Sequence, residues 1–258
     1  MTKSREKTFY IDDESDSKNP SKLYEEICSK INKSDNAKHK RKIAIDLLQK
    51  TIDSNFANLK INFENHQLHV NLVTKGLTKV TDVVIQTIFM FSTQHLHPLT
   101  IPTEAERLSV LAVGGYGREE MAPFSDVDLL FLTPYKITPW AESVIESMLY
   151  ILWDLKLHVG HATRSITECL LMGKKDFTIR TTLLETRQII GDESLVSELN
   201  NRLWNELFQS STTEFVTAKL EERLLRHKKH GENRYLLEPN IKEGKGGLRD
   251  LQSLFWIA

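Results

Sequence analysis

The sequence predicts an α+β protein: a small mixed β-sheet with helices packed on it, followed by a helical segment. Three observations carry this expectation. The stretch Ser109 to Thr133 holds two apolar runs of strand length around a glycine cluster, Gly114, Gly115 and Gly117. Between Val70 and His95, apolar residues such as Val73, Leu77, Val80, Val84 and Ile88 recur at spacings of three and four, the period of a helix. After Thr133 the order helix, strand, helices repeats no unit and contains no low-complexity tract.

The elements follow in order. Residues 1–45 are expected to form a polar, mobile N-terminus, since the opening 22 residues carry no apolar signal core. Within it, the basic run Lys38 to Lys42 precedes Ile43, Ile45, Leu47 and Leu48, which suits a helix with one solvated face. Residues 46–95 read as a helical lead-in. Val83 to Phe91 is the greasiest part and is far short of the roughly 20 residues that a membrane span needs. Residues 96–192 form the expected core. Thr138 is a candidate N-cap with Pro139 at the first helical position, and Ile145, Met148, Leu149, Leu152 and Trp153 make one face. "LHVGHATR" reads as a short strand, and Ser165 and Glu168 stand at capping-box spacing before the next helix. From Thr181 to Arg226 the pattern reads as mostly helical with a break at Gly191 and Asp192, and residues 193–258 form the closing helical segment.

Composition narrows the function. A chain of 258 residues, 40% of them hydrophobic, can bury a real core. Its 34 Lys and Arg balance 35 Asp and Glu, so there is no bulk attraction to nucleic acid or to anionic lipid. Cys28 and Cys169 lie far apart in dissimilar contexts and form neither a disulfide framework nor a metal knuckle, which fits a reducing, cytoplasmic setting.

The chemistry concentrates at "GGYGREEMAPFSDVDLLFL". In a strand, Asp126 and Asp128 emerge on one face and Val127, Leu129 and Phe131 on the other. Two carboxylates so close repel, and a Mg²⁺ ion, which takes one or two carboxylates and completes its shell with water and phosphate, answers that repulsion. An isolated Asp-x-Asp is more often a solvated strand edge. The preceding glycines change the balance, because they let the backbone turn sharply and present N–H groups to phosphate. Their spacing is neither a Walker A loop nor a dinucleotide fingerprint. The reading is a nucleoside triphosphate held through metal at the pair and through backbone at the glycines.

These residues resemble the signature of the DNA polymerase β-type nucleotidyltransferase superfamily. They are closer still to the N-terminal part of the bacterial bifunctional protein-PII uridylyltransferase/uridylyl-removing enzyme family, as are "LYILWDLKLHVGHATRSITEC", "TIRTTLLETRQIIGD" and "EPNIKEGKGGLRDLQSLFWIA". The likeness runs from about Leu96 to the last residue. It implies transfer of UMP from UTP to a tyrosine of the nitrogen-regulatory PII protein, with pyrophosphate released. It further implies Mg²⁺ on Asp126 and Asp128, triphosphate on Gly114 and Gly115, and Arg118 and Ser125 as candidate phosphate ligands. Arg118 read alone is equally a surface charge, and Ser125 equally a turn cap. Two departures fall in the phosphate loop: Glu119 where the family commonly has a small residue, and Phe124 where it often has glycine. The family continues into a phosphohydrolase domain and two regulatory domains, so the chain is expected to be a truncated form without uridylyl-removing or glutamine-sensing activity.

Three matters stay open at this stage. No third carboxylate can be named: Asp154, Glu168, Asp176 and Glu185 each have another reading. The pairs His158/His161 and His227/His230 have metal-clamp spacing without further ligands, the second reading better as a solvated basic face. Lys242, Lys245 and Arg249 mark either a phosphate- or acceptor-binding loop or a tight turn before a helix. The alternatives to PII uridylylation are a nucleotidyltransferase with another acceptor and a remnant that only binds nucleotide or PII.

Overall fold

In the computed structural model, residues 19–32, 37–101, 103–209, 212–229 and 240–257 are described. Three helices lead: α1 (Pro20–Ile31), α2 (Ala37–Glu64) and α3 (Val70–Met90), the last running on through a wider π-type turn to Leu96. The core follows as β1 (Ser109–Ala112), a single turn α4 (Gly114–Gly117), β2 (Val127–Thr133), α5 (Pro139–Asp154), β3 (Val159–Ser165), α6 (Ile166–Lys175), α7 (Phe177–Leu184) and β4 (Arg187–Gly191). It closes with α8 (Glu193–Leu203), α9 (Thr212–Lys229) and α10 (Leu248–Ile257).

The four strands lie in the order β3-β2-β1-β4. β1 is antiparallel to both neighbours and β2 is parallel to β3, so the sheet is mixed as expected. Alternation along the strands sends Val110, Ala112, Val127, Leu129 and Phe131 to one face, against α1, α2, α3 and α5. Leu111, Val113, Leu130 and Leu132 go to the other, against α6, α7 and α8. The helix starts written in the sequence are realised. The Thr138 side chain accepts from the N–H of Ala141, with Pro139 in the first turn, and Ser165 and Glu168 complete a reciprocal capping box.

Three expectations are corrected. Residues 20–31 are helical rather than a mobile tail, because Leu23, Ile27 and Ile31 recur every four residues and bury in the core; the helix expected from the basic run onward is realised in α2, and residues 1–18 lie outside the described set. Arg187–Gly191 is a strand, not part of a helical run; its short apolar pair Ile189–Ile190 is too brief to show a period, and pairing with β1 decides it. His227 is buried instead of sitting on a solvated face, and its Nε2 lies 2.9 Å from Asp250 Oδ2. Its sequence partner His230 lies outside the described residues.

One buried node ties the lead-in to the sheet. The Asp82 carboxylate on α3 accepts from the Tyr116 hydroxyl at 2.7 Å and from two Arg187 nitrogens at 2.9 and 3.0 Å. Burial and the neighbouring Asp82 charge push the Tyr116 hydroxyl well above its ordinary pKa, so it stays a donor. Asp82→Ala leaves Arg187 and Tyr116 without their acceptor and is expected to cost about 2–4 kcal/mol, read from urea unfolding.

Candidate active site

β1 ends in the glycine turn and β2 begins beside it, so the two elements place their chemistry on one cleft of about 1040 Å³. Gly114, Gly115, Arg118, Ser125, Asp126 and Asp128 all line it. The glycines have different reasons to be there. Gly114 takes φ +60°, a conformation that favours glycine. A Cβ on Gly117 would stand 1.8 Å from the Glu185 carbonyl oxygen, so the turn packs directly on the end of α7. A Cβ on Gly115 would meet nothing nearer than 3.8 Å. The fold places no demand for glycine there, and the open space is on the cleft side.

Asp126 is exposed and Asp128 half-buried. Neither carboxylate has a hydrogen-bond donor or a cationic partner among the described residues. Burial, and then the charge of Asp126, raises the pKa of Asp128 above the ordinary carboxylate value. A pair of hard oxygen ligands in this state fits Mg²⁺, which needs few protein ligands when phosphate and water complete its shell. No group of three or more acidic, histidine or cysteine side chains able to hold a metal occurs among the described residues, which extends to His158 and His161.

Arg118 and Ser125 reach the cleft but are engaged. The Arg118 guanidinium pairs with Glu120 at 2.8 Å and with Glu185 at closer range. The Ser125 hydroxyl accepts from the N–H of Ala122 at 3.0 Å, capping the turn into β2. Glu119 and Phe124, the two departures from the family pattern, both adopt positive φ, +61° and +67°. A side chain there costs on the order of 1 kcal/mol or more relative to glycine, and Phe124 stands 99% exposed on the cleft rim.

Two features escaped sequence reasoning. The first is Gly160 on β3, in register with Asp128. A Cβ there would lie 2.3 Å from Asp128 Oδ1, so glycine is what lets the carboxylate lie across β3. An isolated glycine inside a strand pattern was the available signal. The second is the part of the far wall contributed by Lys219 on α9 and Trp256 on α10, which stand with Lys242 and Arg249 on the cleft. Of the loop cations singled out in the sequence, Lys242 and Arg249 line the cleft. Asp250 staples this wall: despite burial, the N–H of Gly246, Arg226 and His227 pull its carboxyl down to about 2. Glu185, read as helical, caps the end of α7 and accepts from Trp256 Nε1 at 2.5 Å. One carboxylate thus links the wall to Arg118 at the glycine turn.

A family model described as GlnD PII-uridylyltransferase matches residues 214–258, which take in α10 and all but the first two residues of α9. Over 199 residues the chain is 57% identical to a bifunctional uridylyltransferase/uridylyl-removing enzyme of Cereibacter sphaeroides, covering 77% of this chain and 21% of that one. The corresponding enzyme of Ruegeria pomeroyi is 61% identical over 186 residues, 72% of this chain and 20% of the relative. That of Caulobacter vibrioides is 51% identical over 223 residues, 86% and 24%. The chain therefore spans between a fifth and a quarter of the length of these relatives.

Two glycines of the turn differ in what packing demands of them. Gly117→Ala should cost roughly 3 kcal/mol or more through its clash with Glu185, whereas Gly115→Ala should melt within about 0.5 kcal/mol of the parent and lose nucleotide affinity; thermal unfolding beside nucleotide titration reads both. Because the folded-state pKa of Asp128 is raised, its ionisation opposes folding at neutral pH, and the folded state binds the extra proton as pH falls. Asp128→Asn should therefore melt higher than the parent at pH 7, with the gain disappearing as pH drops to the ordinary Asp range.

Proposed function

This chain corresponds in sequence to the N-terminal portion of the bifunctional uridylyltransferase/uridylyl-removing enzymes, and on that premise we propose that it transfers UMP from UTP to a tyrosine hydroxyl of the PII signal protein, releasing pyrophosphate. The observation that carries the reading is the unpartnered pair Asp126 and Asp128 beside a glycine turn whose Gly115 is left open towards the same cleft.

In this reading Asp126 and Asp128 hold Mg²⁺, which neutralises phosphate charge when bound. Backbone N–H groups at Gly114 and Gly115 hold the triphosphate. Lys242, whose ammonium has no ion pair among the described residues, faces the phosphates from the opposite wall. Arg118 holds Glu120 through Nε and Glu185 through Nη1, which leaves Nη2 to meet the phosphates, and Ser125 serves first to fix the turn that aims Asp126. No helix among the described residues is long and apolar enough to cross a membrane, and the proposed setting is the cytoplasm.

A second reading, a module that binds nucleotide or PII without turnover, is favoured by one observation. Asp128 faces Gly160 on the neighbouring strand, so β3 supplies no third carboxylate at that point to accept the proton of the acceptor.

Incubation with α-labelled UTP, Mg²⁺ and a PII protein decides between them. Label on PII that falls to background in the Asp126→Asn, Asp128→Asn double variant is the expected result. A folded chain that binds UTP with Mg²⁺ and labels nothing would favour the second reading.

A further inference from the structure

The sheet has two edges, and only one of them is blunted. On β4 the register with β1 shifts between Val110 and Leu111, and the Gln86 side chain of α3 donates to the Ile189 carbonyl at 2.9 Å. Irregular register and a covering side chain protect an edge from further pairing. β3 lies at the opposite end of the sheet, and its register with β2 runs unbroken from Val159 to Ser165.

Alternation decides which backbone groups of β3 are free. The Val127 N–H donates to the His158 carbonyl at 2.7 Å. With Val127 in register with Val159, the parallel ladder then uses the N–H and C=O of Gly160, Ala162 and Arg164. Those of Val159, His161 and Thr163 point away from β2, and among the described residues they have no hydrogen-bond partner. The N–H of Ser165 points the same way and is closed by Glu168 Oε2 at 2.7 Å. The open row therefore ends at the capping box of α6.

We propose that the free edge of β3 is where the protein acceptor docks, an extended segment of PII that carries the modified tyrosine adding to the sheet as a further strand. The inference rests on the transfer reading above, which makes a protein the acceptor. What selects this edge is its closeness to the carboxylate pair. Gly160 is in register with Asp128, and a Cβ on Gly160 would stand 2.3 Å from Asp128 Oδ1, so the carboxylate is carried over β3. A strand added to β3 runs about 4.8 Å beyond it, and side chains facing the same way on adjacent strands meet. A tyrosine opposite Gly160 on the added strand thus projects beside Asp128. Hollows of about 300 and 290 Å³ flank β3, the first lined by Gly160 and Ala162 and the second by His161 and Thr163. These residues alternate between the two faces of the sheet, so successive side chains of an added strand find room on either side.

Amide exchange read residue by residue by NMR tests this, on the chain alone and with saturating PII, Mg²⁺ and a UTP analogue that cannot release pyrophosphate. In the chain alone the amides of Val159, His161 and Thr163 should exchange fast and those of Gly160, Ala162 and Arg164 slowly. PII should slow the first set on the order of tenfold or more and leave the second as it was. Thr163→Pro removes an outward N–H and spares the ladder to β2. It should raise KM for PII on the order of tenfold, with UTP affinity at the parental value, while Thr163→Ala, which keeps the N–H, should label within about twofold of the parent. Should Thr163→Pro not fold, exchange on the parent decides alone. PII labelling with the first set left as exposed as in the chain alone would overturn the inference and leave the transfer reading standing. Unchanged labelling by a folded Thr163→Pro chain would do the same. Protection of these amides without PII, growing with chain concentration, would assign the edge to a second copy and overturn it too. Protection by PII with no label transferred from UTP would keep the docking edge and remove the transfer reading. A chain that neither binds nor labels PII removes both.

Discussion

The Asp82 carboxylate, shared between the Tyr116 hydroxyl and the Arg187 guanidinium, is the contact on which the placement of the site depends. It joins the lead-in helix α3, the glycine turn after β1 and the edge strand β4, three elements remote in sequence. A partly buried carboxylate and guanidinium each carry a large desolvation cost, so neither is tolerable alone, and the arrangement that satisfies both also fixes Tyr116. With Tyr116 pinned, the turn has one position, and Gly117 can rest against the Glu185 carbonyl.

Around that pinned turn the electrostatics divide into satisfied and unsatisfied charge. Arg187, Arg118 and Asp250 are held by opposite charges or by backbone donors. Asp126 and Asp128 are left without partners, and burial beside a like charge makes Asp128 harder to ionise. A fold optimised only for stability would neutralise that pair. Leaving it bare next to open backbone is the trade between stability and activity expected under the proposed function. The far wall follows the same division: Asp250 ties Gly246 to Arg226 on α9, and Lys242 stays available to the cleft.

α9 and α10 also bear an apolar outer side. Leu224 and Leu225 on α9, with Leu251, Leu254 and Phe255 on α10, are each at least 60% exposed. The inner side of the same two helices supplies the staple and the cleft wall. α9 and α10 are anchored by the Arg226–Asp250 pair, by the Trp256 contact with Glu185 and by buried Phe215 against Phe177.

Local chemistry was readable from the chain alone. The helix starts at Thr138 and Ser165, the strand from Val127 that sets Asp128 against Val127, Leu129 and Phe131, with Asp126 just ahead of it, and the period of α3 are each set within a few residues, by capping geometry and side-chain alternation. Tertiary structure decided what depends on partners far along the chain. Arg187–Gly191 became a strand because β1 offered an edge, and α1 became core because α2 and α3 offered a surface. Arg118 was taken by Glu185, 67 residues away. Gly160 acquired its meaning only when the register put it under Asp128. The physical reason is the same in each case: capping and alternation are properties of neighbouring residues, whereas pairing, desolvation and steric clearance exist only between segments that the fold has brought together.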